Sequence, residues 1–448
     1  MPERKNIAIN TAVGINPAAY RLNEILLKNH KGRIVDISDL VTDFKIIESL
    51  YTPYLKLELN VKDNVNLFEE FQLSGQEKIQ ITYTKEDVEI GNVSIKRDFC
   101  VTDYPLYAKT ANRQQVYSIN AISEYMYISK FKQVSKAVDG EIKNIIRDLL
   151  VQELNIPEDS IEISAEFCTS FKGIIPNMSV YDAISWLIKR AYDSNGAPWY
   201  CYDTVFEGLK IVSHADVIEL SKSPHRKYTD GKLFTKDPIN NPDEYYRQQL
   251  SRLLDVSSDI KLSKFISGLS GAFASTTNYI DIATKTHYKD EYSYADEFDK
   301  MKWIDKHKVL SDNFKFENET IKLSEYKEAA ENHISINSIA YDDKENYSSL
   351  AQLNRLNKAQ ARLELTGVLT QMIKIFGDPT LMSGKSLELQ LTQSRDPEID
   401  QQNFENTGSH IKDKMLSGNY LITGIEHLFG SEYYCNVRCK KDSFAYEV

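Results

Sequence analysis

The chain has 448 residues, of which 42% are hydrophobic and 27% are charged, and its net charge is -11 at pH 7. This length and composition are typical of a folded protein with several domains and exclude a disordered chain. The negative charge, without a dense run of Lys and Arg, disfavours a protein that grips nucleic acid phosphates.

The sequence carries no signal for export or membrane insertion. The residues after Met1 lead into no apolar run of signal-peptide length, and no stretch of about 18 uncharged apolar residues occurs. We therefore expect neither export by a signal peptide nor a membrane-spanning segment. The five cysteines are scattered and odd in number, which argues against a disulfide scaffold and favours a reducing compartment.

The first 122 residues follow the two-residue alternation of β-strands. Apolar and polar residues alternate over 55–62 and 79–83, and β-type runs follow at 88–101 and 116–122. This pattern predicts a small β-barrel or sandwich over residues 1–122.

The next segment contains helical periodicity. Apolar residues recur at helical spacing over 142–154, which predicts an amphipathic helix. Ser179, followed three residues later by Asp182, predicts the N-cap of a second helix.

A hairpin and a linker are expected after this second helix. Residues 199–202 and 209–212 read as two strands that close at Gly208. Residues 221–250 are polar and rich in turn signals, which predicts a linker or an exposed loop. We therefore expect an α+β domain with a linker over residues 123–250.

The last part of the chain returns to β-strand patterns after a polar interruption. Residues 267–275 are small and Gly-rich, and 278–283 are strand-like. Residues 286–329 show little periodicity and predict an excursion between strands. Its segment Tyr288 to Trp303 is either a partner-binding surface rich in aromatic residues or a packed cover over a neighbouring domain.

The C-terminal elements are one helix and three strands. Leucines at helical spacing predict a helix that begins near Ser348. Strands are predicted over 387–392, 420–428 and 433–439, the last with Cys435 and Cys439 on one buried face.

One short sequence pattern occurs twice in the chain. Ser74 to Tyr83 and Ser383 to Thr392 each read as a Gly turn that leads into an alternating strand. Such a repeat predicts two related β-modules that lie far apart in the sequence.

No familiar catalytic, cofactor or metal motif is present. The phosphate-binding, dinucleotide-binding, zinc-protease and calcium-loop patterns are missing, and no two histidines have metal-ligand spacing. Acidic pairs such as Glu69-Glu70 could serve a glycosidase, but with 65 acidic residues such pairs arise by chance. We expect no catalytic, cofactor-binding or metal-binding residues, and hence no enzyme.

The C-terminal turns and strands have a distinctive order and spacing. It is carried by Gly377, Asp378, Pro379, Gly384, Leu387, Leu389, Leu391, Gly418, Tyr420, Ile422 and His427. This arrangement resembles the central baseplate hub protein of contractile-tailed bacteriophages, a family related to the N-terminal part of type VI secretion spike proteins. Residues 34–83 and 178–212 extend the resemblance upstream.

The resemblance implies a β-rich α+β fold with two barrels like those of tail-tube proteins. The first barrel would span 1–122, and the second would combine 251–285 with 330–448. The α+β domain and linker would occupy 123–250, and the excursion 286–329 would pack on that domain.

The resemblance also implies a mechanical function. Three copies would form a ring with pseudo-sixfold symmetry that joins the hexameric tail tube, or a tube-initiator protein, to the trimeric cell-puncturing spike. Surrounding baseplate proteins would be further partners, and DNA would only pass through the lumen. The protein would be assembled in the host cytoplasm and would belong to the virion tail.

Two other functions remain open on the sequence. A tail-associated peptidoglycan hydrolase would need a catalytic domain or a constellation of Glu, Cys and His in a groove, and neither is visible. A receptor-binding tail protein should carry repeats or a low-complexity shaft, and none is found.

Overall fold

The computed structural model describes residues 16–87, 91–109, 114–230, 242–260, 264–282, 285–300, 302–308, 311–336, 369–393 and 411–446. Its strands are β1 (Arg21–Lys28), β2 (Ile34–Asp36), β3 (Val41–Ser49), β4 (Lys56–Asp63), β5 (Lys78–Asp87), β6 (Gly91–Asp103), β7 (Tyr107–Lys109), β8 (Gln115–Ser123), β9 (Gln133–Glu141), β10 (Ile161–Ile163), β11 (Ser170–Ser179), β12 (Trp199–Thr204), β13 (Gly208–Ser213), β14 (Lys227–Thr229), β15 (Asp255–Ile260), β16 (Ala274–Asp281), β17 (Thr286–Ser293), β18 (His307–Lys308), β19 (Asn313–Phe316), β20 (Glu319–Lys322), β21 (Glu331–Ile336), β22 (Leu369–Phe376), β23 (Ser386–Gln390), β24 (Gly418–Phe429), β25 (Tyr433–Lys441) and β26 (Ser443–Phe444). Its helices are α1 (Leu67–Glu70), α2 (Glu124–Phe131), α3 (Ile142–Asp148), α4 (Val180–Ile188), α5 (His214–Ser221), α6 (Pro242–Leu250), α7 (Lys264–Leu269) and α8 (Tyr294–Glu297). The fold is therefore β-rich α+β, as the sequence predicts.

One large sheet runs through both halves of the chain. Its strand order is β15-β22-β25-β24-β3-β4-β8-β6-β5-β1-β2, with β23 and β14 attached to β24 and β7 attached to β8. Among the described residues no pairing joins β15 to β2, so the sheet is open there. The two barrels expected from the sequence are not confirmed.

The two halves of this sheet share one topology. In the first half the order is β3-β4-β8-β6-β5, and in the second it is β15-β22-β25-β24-β23, with every neighbouring pair antiparallel. We call these two sets of strands the N-terminal module and the C-terminal module. They diverge at the next strand, because β1 runs antiparallel to β5 whereas β14 runs parallel to β23.

A matching β-bulge shows how closely the modules correspond. The pairing of β6 with β8 shifts register at Thr102, and the pairing of β24 with β25 shifts at Thr423. Each threonine hydroxyl donates to a carbonyl of the facing strand, that of Asn120 at 3.1 Å and that of Arg438 at 3.2 Å. A bulge twists and bends its strand, so both modules bend at the same place.

The repeated pattern of the sequence falls on corresponding strands. β5 and β23 occupy the same position in the two modules, and each follows a glycine with a φ near +85°, Gly75 and Gly384. The predicted alternation is confirmed in both strands. Their buried apolar side chains are Ile79, Ile81 and Tyr83 on β5 and Leu387 and Leu389 on β23, and Leu391, which directly follows β23, is buried as well.

The modules join through the antiparallel pairing of β3 with β24. This ladder extends from Ser49 opposite Gly424 to Phe44 opposite Phe429, whose rings stack with centroids 4.4 Å apart. The apolar faces of both modules form one continuous core.

A second core belongs to the α+β domain. The antiparallel strand pair β9–β11, α3 and α4 pack with the sheet β10-β13-β12. The predicted N-cap is confirmed, because the Ser179 side chain accepts the backbone N–H of Asp182 at 3.1 Å. The predicted hairpin is confirmed as β12 and β13, which turn at Gly208.

The chain departs from the expected boundaries in several places. The expected linker at 221–250 contains β14, which pairs with β23, and also α6. Of residues 251–285, β15 joins the large sheet, but β16 forms a separate sheet with β17 and β21. Short, polar elements such as β14 carry too little alternation to be read from sequence.

The excursion also packs elsewhere than expected. Tyr294 and Phe298 are buried in a cluster with Leu369 and Phe444 of the C-terminal part, and β18 pairs with β26. Ile304 contacts a cluster that includes residues of the α+β domain. The excursion therefore covers the C-terminal module as well as that domain. The helix predicted near Ser348 lies outside the described residues.

The facing of β23 can be tested by adding a charge to the core. We expect Leu389→Asp to lower the free energy of unfolding by about 3 kcal/mol or more, because an unpaired carboxylate would be buried. Gln390→Asp is the matched control, since Gln390 points to the opposite face, and it should cost less than about 1 kcal/mol. Urea unfolding measures both changes. Equal losses of unfolding free energy would mean that the side-chain orientation assigned to β23 is wrong.

Candidate functional site at the joint of the two modules

The residues singled out in the sequence are structural and belong to the C-terminal module. Leu387, Leu389, Leu391 and Ile422 lie in its core, and Tyr420 is buried with its hydroxyl donating to the Leu416 carbonyl at 2.7 Å. Their role is to build the module.

Gly377 permits close packing against an aromatic ring. A Cβ at this position would lie 2.2 Å from ring carbons of Tyr433, and the Gly377 N–H donates to the Tyr433 carbonyl at 2.9 Å. Any larger residue would push β25 away from the turn after β22.

Asp378 follows in the same turn and is buried beside His225, Arg226 and Thr380. Its carboxylate lies 3.2 Å from His225 Nε2 and 3.7 Å from the Arg226 guanidinium, and it accepts the Thr380 hydroxyl at 2.6 Å. Burial alone would raise the pKa of Asp378, but the hydrogen bond and charge of His225 and the charge of Arg226 hold it below its usual value. The neighbouring Pro379 is also buried. This network fixes the segment before β14 onto the C-terminal module.

Gly418 makes room for a buried ion pair. With a φ of +128°, its absent Cβ would lie 2.5 Å from Lys441 Nζ and 2.8 Å from Asp305 Oδ2. The lysine and the aspartate are 3.5 Å apart, and Asp305 also accepts the Asn419 N–H. Burial lowers the pKa of Lys441 and raises that of Asp305, and the mutual charge opposes both shifts. The excursion is thereby tied to the start of β24.

His427 is a buried neutral side chain beside the joint of the modules. Its Nδ1 lies 2.7 Å from the Tyr433 hydroxyl, and its Nε2 lies 4.0 Å from Glu48 Oε2. Burial lowers the pKa of His427 to about 4, so the ring is uncharged near neutral pH.

Glu48 is the group on which three parts of the chain converge. It lies on β3, is 1% exposed, and accepts the backbone N–H of Val205 at 2.8 Å and that of Ser383 at 2.5 Å. Val205 belongs to the turn between β12 and β13, and Ser383 to the turn before β23. One carboxylate therefore bridges the N-terminal module, the α+β domain and the C-terminal module.

Sequence reasoning missed Glu48, although a signal was present. Phe44 and Ile46 mark the apolar positions of β3, and Glu48 continues the same two-residue alternation. A carboxylate at an apolar position must find buried donors, and here they come from distant segments.

The α+β domain makes further contacts with the N-terminal module. Arg97 of β6 donates to the carbonyls of Thr204 at 2.9 Å and Val205 at 3.0 Å. Ser123 of β8 donates its hydroxyl to the buried carboxylate of Asp203 at 3.3 Å. These contacts hold the turn that supplies one donor to Glu48.

The Ser383-Gly384 turn is also fitted to the α+β domain. Gly384 has a φ of +84°, and an added Cβ would lie 2.1 Å from the Tyr202 hydroxyl oxygen of β12. Gly75, at a similar φ in the N-terminal module, has nothing within 4 Å. The repeated Gly turn therefore packs against the α+β domain in the C-terminal module, at Gly384, whereas in the N-terminal module, at Gly75, it has open space beside it.

The opposite face of the joined sheet is polar and open. Lys45 pairs with Glu58 at 2.8 Å, and Asn60 donates to Asp43 at 2.6 Å and accepts from Ser118 at 2.8 Å. A groove of about 600 Å³ lies here, and it extends across the joint to residues 428–432. On this face Lys45 and Glu58 form an ion pair across neighbouring strands, and the side chain of Asp43 is held by an uncharged amide.

Within the described ranges, no group of three or more His, Cys, Asp or Glu residues is placed to hold a metal ion. All five cysteines are buried and free. In the same part of the chain, no helix is long and apolar enough to cross a membrane.

Comparison with known proteins adds a fold relationship. The tail protein from Neisseria meningitidis MC58 has a similar structure, with a TM-score of 0.52 over 95% of this chain and 97% of that chain, at 9% identity. The chain has the fold of a tail protein. The resemblance predicted from the sequence is thus confirmed at the level of fold, which is that of a tail protein.

Two other solved structures are less similar. The 43 kDa tail protein of prophage MuSo2 from Shewanella oneidensis has a TM-score of 0.48 over 95% of this chain and all of that chain, at 10% identity. An Escherichia coli component of the type VI secretion system has a TM-score of 0.42 over 96% of this chain and 78% of that chain, at 8% identity. No family model and no curated protein sequence matches the chain.

The docking role of Gly384 can be tested with Gly75 as a matched control. Gly75→Ala should cost about 1 kcal/mol, because alanine is strained at a positive φ. Gly384→Ala should cost at least about 2 kcal/mol more, since its methyl group also meets Tyr202. Urea unfolding measures the difference, and Tyr202→Phe should recover part of the excess. Equal losses at the two glycines would contradict the docking contact.

Glu48 should make the stability of the protein depend on pH. Burial raises the pKa of Glu48 from 4.5 to about 7, although the Val205 and Ser383 N–H groups oppose the shift. The folded protein therefore holds this proton more tightly than the unfolded chain, and the free energy of unfolding falls as pH rises from 4.5 to about 7. The difference in unfolding free energy between wild type and Glu48→Gln should fall by on the order of 2 kcal/mol over this window.

Chemical denaturation at several pH values measures this trend. Glu58→Gln is the control, because it removes a half-exposed carboxylate of the open face, and its trend should be much smaller. If the free energy of unfolding of the wild type, relative to that of Glu48→Gln, increased with pH, the result would contradict the account.

Proposed function

We propose that the chain is the central hub of a contractile-tail baseplate. Three copies form a ring of six β-modules that joins the hexameric tail tube, or a tube-initiator protein, to the trimeric spike. The observation that carries this proposal is the pair of modules with one strand topology in a single sheet.

Symmetry explains why one chain would need two such modules. A hexameric tube offers six equivalent positions, and a trimeric spike offers three. Three chains with two similar modules each match both partners. The likeness in fold to a tail protein over almost the whole chain supports this reading.

The open face of the joined sheet suits the wall of a channel. Lys45 and Glu58 form an ion pair there, Asp43 accepts a hydrogen bond from the Asn60 amide, and the groove lining carries more acidic than basic side chains. The net charge of -11 means that the chain as a whole does not attract DNA. We propose that the genome passes along this face without being held.

The proposed role is not catalytic. The buried carboxylates Glu48 and Asp378 are engaged by backbone or side-chain partners that hold the fold together. Degradation of cell wall by the purified chain in a zymogram would overturn this part of the proposal. The protein would reside in the virion tail, among the baseplate proteins that surround the hub.

The oligomeric state tests the proposal. Light scattering should give three times the chain mass, either for the isolated chain or after a trimeric spike protein is added. A stable dimer under both conditions would contradict the hub.

A further inference from the structure

We propose that β15 of one copy pairs antiparallel with β7, and with the adjoining end of β6, in a second copy of this chain. The inference rests on the proposed hub function, since it names the strands that join one copy to the next. Inside the chain, β3 of the N-terminal module pairs with β24 of the C-terminal module. The strands at the corresponding positions of the opposite modules are β15 and β6 with β7, and we infer that they pair in the same way between copies.

The joint inside the chain uses one edge of each module. β3 is the outermost strand of the N-terminal module, and it pairs with the C-terminal half of β24 in the C-terminal module. In the shared topology β15 corresponds to β3, and β6 corresponds to β24. A repetition of the joint would therefore bring β15 of one copy to β6 of the next.

β6 and β7 together form the counterpart of β24. β6 pairs with β8 from Phe99 to Asp103, and β7 continues along the same side of β8 from Tyr107 to Lys109. β24 runs along β25 in the same way, through its bulge at Thr423. The part of β24 that receives β3 corresponds to β7 and to the connection before it.

The registers identify a facing pair of residues. Ala108 lies opposite Val116 of β8, as Leu428 lies opposite Tyr434 of β25. Ser257 lies opposite Met372 of β22, as Lys45 lies opposite Glu58 of β4. Since Leu428 and Lys45 face each other within the chain, Ala108 and Ser257 should face each other between copies.

Both strands have a side that the described chain leaves without a strand. Among the described residues β15 pairs with β22 alone, and β7 pairs with β8 alone. Every residue of β7 is exposed, and so is every residue of β15 except the half-buried Val256. An exposed edge strand presents backbone N–H and C=O groups to a further strand, which is the basis of strand addition. Pro105 has no N–H, so we assign the pairing chiefly to β7 itself.

Exposed apolar side chains flank both edges. Ile260 ends β15, and Phe265 and Ile266 of α7 follow it, 75% and 66% exposed. On the other edge Leu106 and Tyr107 are about half exposed. Exposed apolar side chains beside these two strand edges are expected where a large interface buries them.

The β3–β24 pairing within each copy and the β15–β7 pairing between copies would alternate around the assembly. Each copy would use its β3–β24 joint internally and present β15 on one side and β7 on the other. Such a head-to-tail contact gives a closed ring when the rotation per copy closes, and an open filament when it does not. Three copies close the ring that the hub requires.

Disulfide trapping tests the contact in the full-length chain. Facing residues of antiparallel strands have Cα atoms about 4.5–5.5 Å apart, which is within disulfide range. After mild oxidation, Ala108→Cys with Ser257→Cys in one chain should give covalent dimers and trimers on a non-reducing gel, and reduction should restore monomers. Each single substitution should give no covalent trimer.

Two control pairs make the result decisive. Lys45→Cys with Leu428→Cys occupies the same pair position inside the chain and should close within a monomer. Ser257→Cys with Ile34→Cys joins β15 to β2, at the other end of the sheet, and should give no covalent trimer.

The outcomes separate this inference from the hub proposal. If light scattering gives a trimer and the Lys45–Leu428 control closes, but the Ala108–Ser257 pair does not link copies, the assigned strands are wrong and the hub stands. Trimers linked through Ser257 and Ile34 would overturn the assignment in the same way. If neither covalent nor non-covalent trimers form, with or without the spike, both proposals fail. A ladder beyond trimers would support the strand pairing and contradict the hub.

Discussion

The pairing of β3 with β24 is the contact on which the rest of the structure depends. It makes one sheet from two modules that lie at opposite ends of the chain, and it merges their apolar faces into one core. Glu48 sits in this ladder and draws the turns at Val205 and Ser383 onto it. Burying this carboxylate costs free energy unless β3 and the turns at Val205 and Ser383 are all in place, because the two turns supply its hydrogen-bond donors. Glu48 therefore favours a single arrangement of these three segments.

The two modules differ in what their matching parts do. The bulges at Thr102 and Thr423 are alike down to the hydrogen bond of each threonine hydroxyl. The Gly75 turn is open, whereas the Gly384 turn is packed against Tyr202. Likewise β24 receives β3, whereas among the described residues β7 has no second strand beside it. A repeated scaffold thus carries one internal joint, and among the described residues the equivalent edge of the N-terminal module has no strand beside it.

Much of the fold could be predicted from the sequence because many of its elements depend on local sequence patterns. The alternation over 55–62 and 79–83, the cap at Ser179 and the hairpin around Gly208 all depend on neighbouring residues, and the structure confirms them. The motif residues from Gly377 to His427 lie in the C-terminal module or in the turns beside it, and most of them are buried.

The remaining features depend on contacts between distant segments, which a local pattern cannot reveal. β14 has three residues, and its place beside β23 is decided by the sheet it joins. The role of Glu48 depends on donors more than 150 residues away. The separate sheet of β16 and the packing of the excursion on the C-terminal module are likewise set by tertiary contacts.

The central claim is that two modules in one chain build a ring that converts threefold into sixfold symmetry. Electron microscopy of the assembled chain, viewed down its symmetry axis, tests it most directly. The account predicts a threefold ring of six similar densities around an open centre. A twofold particle, or a threefold particle with a filled centre, would contradict it.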